Sequence, residues 1–178
     1  MIAETLSLDG EGLRLRPLVQ EDAPRVYELA SNWNVASMLA RMPYPYTESS
    51  AEEWISGHVE GRASGNSWPF AIEVRSELVG ATGLSRTDDG PYELGYWIGE
   101  PYWGQGIATK AARVIVKFAF DILGADRLIS GHFTENSASG RVLTNIGFQK
   151  TGKESRFCVA RGKNVDCIEF ELHASEIF

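Results

Sequence analysis

One stretch in the middle of the chain constrains the fold more than any other. Tyr92-Glu93-Leu94-Gly95-Tyr96-Trp97-Ile98 reads as a strand, and two glycines, Gly104 and Gly106, follow it. Ile107, Ala111, Val114, Ile115, Phe118, Ala119 and Ile122 then recur at helical spacing through about Leu123, and Gly124 stops the helix. Arg127-Leu128-Ile129-Ser130-Gly131-His132-Phe133 is a second strand. A strand, a helix and a strand in that order demand a right-handed crossover and a parallel pair.

The flanks add antiparallel strands. Residues 1–10 read as a short lead-in, and Leu13-Arg14-Leu15-Arg16-Pro17-Leu18 alternates apolar and polar as a half-buried strand does. A helix opens at Glu21-Asp22-Ala23-Pro24, with Val26, Leu29 and Ala30 on its apolar face. Residues 31–47 are irregular, since Pro43 and Pro45 exclude a long helix. Thr47 caps a helix over 48–63, with Ala51, Trp54, Ile55 and His58 on one face. Strands are expected over 68–74 and 78–84, and Asp88-Asp89-Gly90-Pro91 turns the chain into the 92–98 strand. After the crossover, a helix from Asn136 ends at Gly147, and strands near 148–158 and 163–172 close the chain. The order is β-α-α-β-β-β-α-β-α-β-β, an α/β mixed sheet with helices on its faces. No linker divides the chain, so residues 1–178 are expected to form one domain, as the length suits.

Composition narrows the function. Seventeen basic against 24 acidic residues give a net charge of −7. That sign opposes nucleic-acid binding and an anionic membrane surface, both of which need a basic face. It is compatible with a cationic acceptor such as an amine. No run reaches the roughly 18 apolar residues of a membrane span. No secretory leader is visible, so the cytoplasm is the default location. Cys158 and Cys167 form neither a disulfide framework nor a zinc signature, and His58, His132 and His173 are scattered; no metal is expected.

The chemistry centres on the loop from Ile98 to Lys110. The first amides of a helix lack internal partners, and with the helix dipole they form an anion site. Glycines allow close backbone approach to a phosphate. A Gly-x-Gly before a helix is equally consistent with a tight structural turn.

Trp103-Gly104-Gln105-Gly106-Ile107-Ala108-Thr109 resembles the acetyl-CoA pyrophosphate loop of the GNAT superfamily. Gly106 and Ala108 match its Gln/Arg-x-x-Gly-x-Gly/Ala pattern, and Trp103 stands where Gln or Arg is usual. The Tyr-Trp-Gly-x-Gly-x-Ala-Thr variant resembles the RimJ/RimL branch of ribosomal-protein amino-terminal acetyltransferases. Asn136-Ser137-Ala138-Ser139, Leu143 and Ile146-Gly147-Phe148 resemble that branch's Asn-x-x-Ser…Leu…Gly-Phe signature. The resemblance extends over nearly the whole chain. It implies the acyl-CoA N-acyltransferase fold: a mostly antiparallel seven-stranded sheet, a central splayed parallel pair, and helices on both faces.

The resemblance implies an enzyme that moves an acetyl group from acetyl-CoA to a primary amine by direct attack in a ternary complex. The pyrophosphate would meet residues 103–109, including Gln105 and Thr109. The pantetheine would lie between the splayed strands against Trp97 and Ile98, with Asn136 holding its arm. Ser139 would hydrogen-bond the leaving thiolate, or else serve as a helix cap, although Asn136 fits the cap position better. Glu93 is the candidate general base, unless strand alternation turns it onto a solvated face. Trp54 and Phe118 are expected in the core. Trp33, Tyr44 and Tyr46 lie in the segment where the resemblance puts the acceptor groove. The acceptor, a protein N-terminus or a small molecule, stays open, as do homodimerisation and a non-catalytic CoA-binding module.

Overall fold

The computed structural model describes residues 6–88 and 90–176. Residues 1–5 and Asp89, in the expected turn, lie outside them. The strands are β1 Leu8–Gly10, β2 Leu13–Arg16, β3 Ser67–Val74, β4 Glu77–Arg86, β5 Tyr92–Ile98, β6 Arg127–Phe133, β7 Gln149–Cys158 and β8 Lys163–His173. The helices are α1 Ala23–Ala30, α2 Trp33–Ala36, α3 Glu48–Ser56, α4 His58–Ala63, α5 Ile107–Asp121 and α6 Ser137–Asn145. The sheet order is β1-β2-β3-β4-β5-β6-β8-β7. Every neighbouring pair is antiparallel except β5 and β6, the parallel pair that the crossover demands.

The sheet has eight strands rather than the expected seven. Leu8–Gly10 pairs with Leu13–Leu15 through a two-residue turn at Glu11 and left-handed Gly12. Three residues with one apolar side chain are too few to show an alternation. The expected 48–63 helix is two, α3 and α4, meeting at Gly57, a weak helix former.

Strand alternation divides the sheet into two faces. Leu84, Tyr92, Leu94 and Ile98 pack against α5 and α6, with Ile115, Phe118 and Leu143. Ala71, Ala81 and Trp97 pack on the other face against α1, α2 and α3, with Val26, Val35 and Ile55. Phe118 is core as expected, edge-on to Trp68 and Phe70. Trp54 is not: it is 37% exposed, because its face of α3 borders a cavity rather than the sheet.

β4 and β5 must sit in tight register for this partition to hold. A Cβ at Gly80 would lie 2.2 Å from the Trp97 carbonyl oxygen, a backbone atom that cannot move aside. Gly80→Ala should therefore destabilise the fold by about 1–3 kcal/mol, as overpacking does. Chemical-denaturation midpoints measure this.

Candidate active site

A cavity of about 1350 Å³ opens where β5 leaves β6. The two strands pair only at Tyr92 with Leu128 and Glu93 with Ile129. One step further, the Ser130 hydroxyl donates to the Leu94 carbonyl at 2.9 Å. The β4–β5 ladder decides which backbone groups face the gap. Gly99 N–H donates to Val79 O, and Thr87 N–H to Pro91 O, both at 2.9 Å. Antiparallel pairs alternate, so Glu93, Gly95 and Trp97 spend their main-chain bonds on β4. The main chains of Leu94, Tyr96 and Ile98 turn toward the gap. The expected backbone contact at Ile98 has that orientation; Trp97 instead meets the cavity with its side chain.

The loop after β5 forms one end of the cavity. Gly104 and Gly106 have φ of 75° and 73°, left-handed values that side chains disfavour. Gly106 caps α5 without a side-chain bond, and the first internal bond runs from Lys110 N–H to Gly106 O. The amides of Ile107, Ala108 and Thr109 thus have no capping side chain. A Cβ at either glycine would meet nothing within 4 Å, so the space before the loop is open. These features fit a pyrophosphate. Trp103 donates its indole N–H to the Ile98 carbonyl at 2.7 Å and ties the loop to the end of β5. Gln105 lies on the exposed side of the loop.

Across the gap, Asn136 caps α6 by accepting from Ser139 N–H at 3.2 Å. The Ser139 hydroxyl is therefore not a cap. It lies 2.8 Å from the Tyr96 hydroxyl. Tyr96 was not singled out by sequence, although its alternation with Trp97 places it on the α6 face. Burial pushes its phenol up to about 12, against the opposing pull of the Ser139 bond. It stays protonated across the physiological range.

Glu93 points to the other face and lines the cavity, with its side chain 17% exposed, so the solvated-face reading does not hold. Its Oε1 accepts from Arg156 Nη1 and its Oε2 from Arg41 Nη2 at 3.2 Å. Arg156 also holds Glu169, donating from Nε at 2.9 Å. Cys167, buried beside that group, has its thiol pushed up to about 12 by burial and then by Glu169. It offers no thiolate near neutral pH. Cys158 is fully buried against the carbonyls of Ser37 and Leu39. Among the described residues, no His, Cys, Asp or Glu group could hold a metal ion.

Of the other aromatics, Tyr46 lines the cavity, while Trp33 and Tyr44 form an exposed edge-to-face pair beside it. An uncapped helix start, a strand gap leading from it, and a carboxylate and a hydroxyl on opposite faces of one strand suit a CoA-dependent acyltransferase.

Comparison with known proteins agrees. Residues 12–149 match the model of the acetyltransferase (GNAT) domain, and the chain belongs to that family. It is 28% identical to the uncharacterized N-acetyltransferase p20 of Bacillus licheniformis, over 91% of this chain and 93% of that one. It is 30% identical to the probable N-acetyltransferase YjcK of Bacillus subtilis, over 82% and 84%. The structure of Mycobacterium smegmatis RimJ in complex with CoA-disulfide superposes with a TM-score of 0.86 at 23% identity, covering 97% of this chain and 89% of that one. The protein is an acetyl-CoA-dependent N-acetyltransferase.

Neither cysteine offers a thiolate to carry an acyl group: Cys158 is fully buried, and the thiol of Cys167, at the cavity wall, stays protonated. Iodoacetamide at neutral pH should leave Cys158 and Cys167 unmodified in the folded protein and label both after denaturation. Intact-mass measurement reads this directly.

Proposed function

We propose that the protein acetylates a primary amine by direct attack on the thioester in a ternary complex, with no acyl-enzyme. The observation that carries this reading is the placement of Glu93 and Ser139 on opposite faces of β5, beside the gap that β6 leaves open. The α5 amides with Gly104 and Gly106 receive the pyrophosphate. The main chains of Tyr96 and Ile98 pair with the pantetheine, Trp97 packs beside it, and the Asn136 amide holds its arm. Trp103, Gln105 and Thr109 border the phosphates.

The amine enters from the face that carries Glu93. Its nitrogen bonds to the carbonyl carbon, Glu93 accepts the proton directly or through a water, and the carbon–sulfur bond breaks. Ser139 donates to the departing sulfur, and Tyr96 orients Ser139. A backbone amide of the gap polarises the carbonyl. Among the described residues, no helix is long and apolar enough to cross a membrane. The two free cysteines support a cytoplasmic location.

Acetyl-CoA binding without CoA release over a broad amine panel would sink the transferase reading. Ser139→Ala should cut kcat by about 10–100-fold and leave acetyl-CoA affinity unchanged, because the bond forms to charge that develops in the transition state. Tyr96→Phe should lower kcat in the same direction by a smaller factor, about tenfold, since Ser139 remains. Saturation kinetics beside calorimetric binding separate the two effects.

Glu93→Gln keeps the shape and removes the basic oxygen. Its rate at saturation should fall on the order of a hundredfold at neutral pH. The deficit should shrink as pH rises, because more of the amine is then already neutral. A deficit that stays constant across the pH–rate profile would assign Glu93 to positioning alone.

A further inference from the structure

We infer that the acceptor is a primary amine on an aromatic or similarly bulky apolar body, with a hydrogen-bond acceptor a few bonds from the nitrogen. This rests on the direct-transfer reading above and adds the substrate class. The cavity continues past Glu93 on the face covered by α1–α4. Its floor is cut low at Gly95, where a Cβ would meet nothing within 4 Å. Beside the carboxylate there is thus a hollow that no side chain fills.

The walls of this hollow come from Met38, Met42, Tyr46, Trp54, His58 and Pro69. Trp54 leaves part of its ring open and packs edge-on against His58, ring centres 4.6 Å apart. Burial, with the charge of Arg62 second, lowers His58 to about 4, so it adds no charge at neutral pH. Tyr46 lines the cavity with its hydroxyl unpaired among the described residues but still reached by solvent, and both ring nitrogens of His58 are buried without a partner. A hydroxyl at the cavity wall with no protein partner is free to donate to a ligand carbonyl.

Charge argues against a polyamine. The carboxylates lining the cavity are Glu53, Glu93 and Glu135, and the guanidiniums are Arg41, Arg141 and Arg156. Glu93 is held by Arg41 and Arg156, and Glu135 by Arg161. Only Glu53 lacks a basic partner among the described residues. A polycation would meet one free carboxylate where it needs several, whereas an apolar monoamine meets aromatic and thioether surface.

The test is steady-state kinetics with phenylalaninamide, 2-phenylethylamine, alaninamide, spermidine and a peptide beginning with Phe. Phenylalaninamide should exceed alaninamide and spermidine in kcat/KM by about tenfold or more, the discrimination one apolar group gives in a hydrophobic pocket. Tyr46→Phe should lower kcat/KM for phenylalaninamide and leave 2-phenylethylamine unchanged. Gly95→Val, which fills the hollow, should penalise phenylalaninamide more than alaninamide. Equal or better use of spermidine or alaninamide overturns the inference, and an indifferent Tyr46→Phe overturns its hydrogen-bond part. The peptide arm separates a protein N-terminus from a free small molecule as the source of the aromatic amine. If acetyl-CoA binds and no amine is acetylated, the transferase reading falls by itself. Thermal shifts with CoA present then decide the pocket: stabilisation by phenylalaninamide and not by spermidine upholds it, and the reverse overturns it.

Discussion

Two neighbouring parallel strands that pair over two residues and then part are the constraint on which the rest of this structure depends. Backbone groups left unpaired inside a protein are costly, so the gap between β5 and β6 has to be compensated. Part of the compensation is internal: Ser130 bonds the Leu94 carbonyl and Trp103 bonds the Ile98 carbonyl. The main chain of Tyr96 stays turned toward open space. In the proposed binding mode an extended ligand arm, chemically a missing strand, would restore the ladder that β6 abandons.

The same strand sorts the chemistry. Because successive side chains alternate, Glu93 and Trp97 face the layer of α1–α4 while Tyr96 faces α6. The carboxylate and the hydroxyl pair are thus kept on opposite faces of β5. Each is also anchored from afar. Arg156, 63 residues from Glu93, joins it to Glu169. Arg161 donates to the Ser37 carbonyl at 2.8 Å and pairs with Glu135, and Val159 N–H donates to Ala40 O. These bonds clamp the 37–40 segment, which borders the cavity, to the β7–β8 turn. This side of the cavity is therefore assembled from segments distant in sequence, and no local motif marks it.

Local pattern by itself determined a good deal. The periodicity of residues 107–122 and the two strands beside them required a parallel pair, because a crossover allows no other arrangement. Gly104 and Gly106 before that helix, and Asn136 three residues before Ser139, were legible because loop conformation and helix capping are short-range properties. The tertiary structure decided the rest. Leu8–Gly10 is a strand because β2 offers an edge and α5 covers it. Trp54, on the apolar face of its helix, borders a cavity because the sheet recedes there at glycines. Tyr96 meets Ser139, 43 residues away, and Glu93 meets Arg156 only because the sheet order brings β5 beside β6 and places the β7–β8 hairpin next to it. Periodicity reports which way a side chain points; what it meets there is set by packing between elements far apart in the chain.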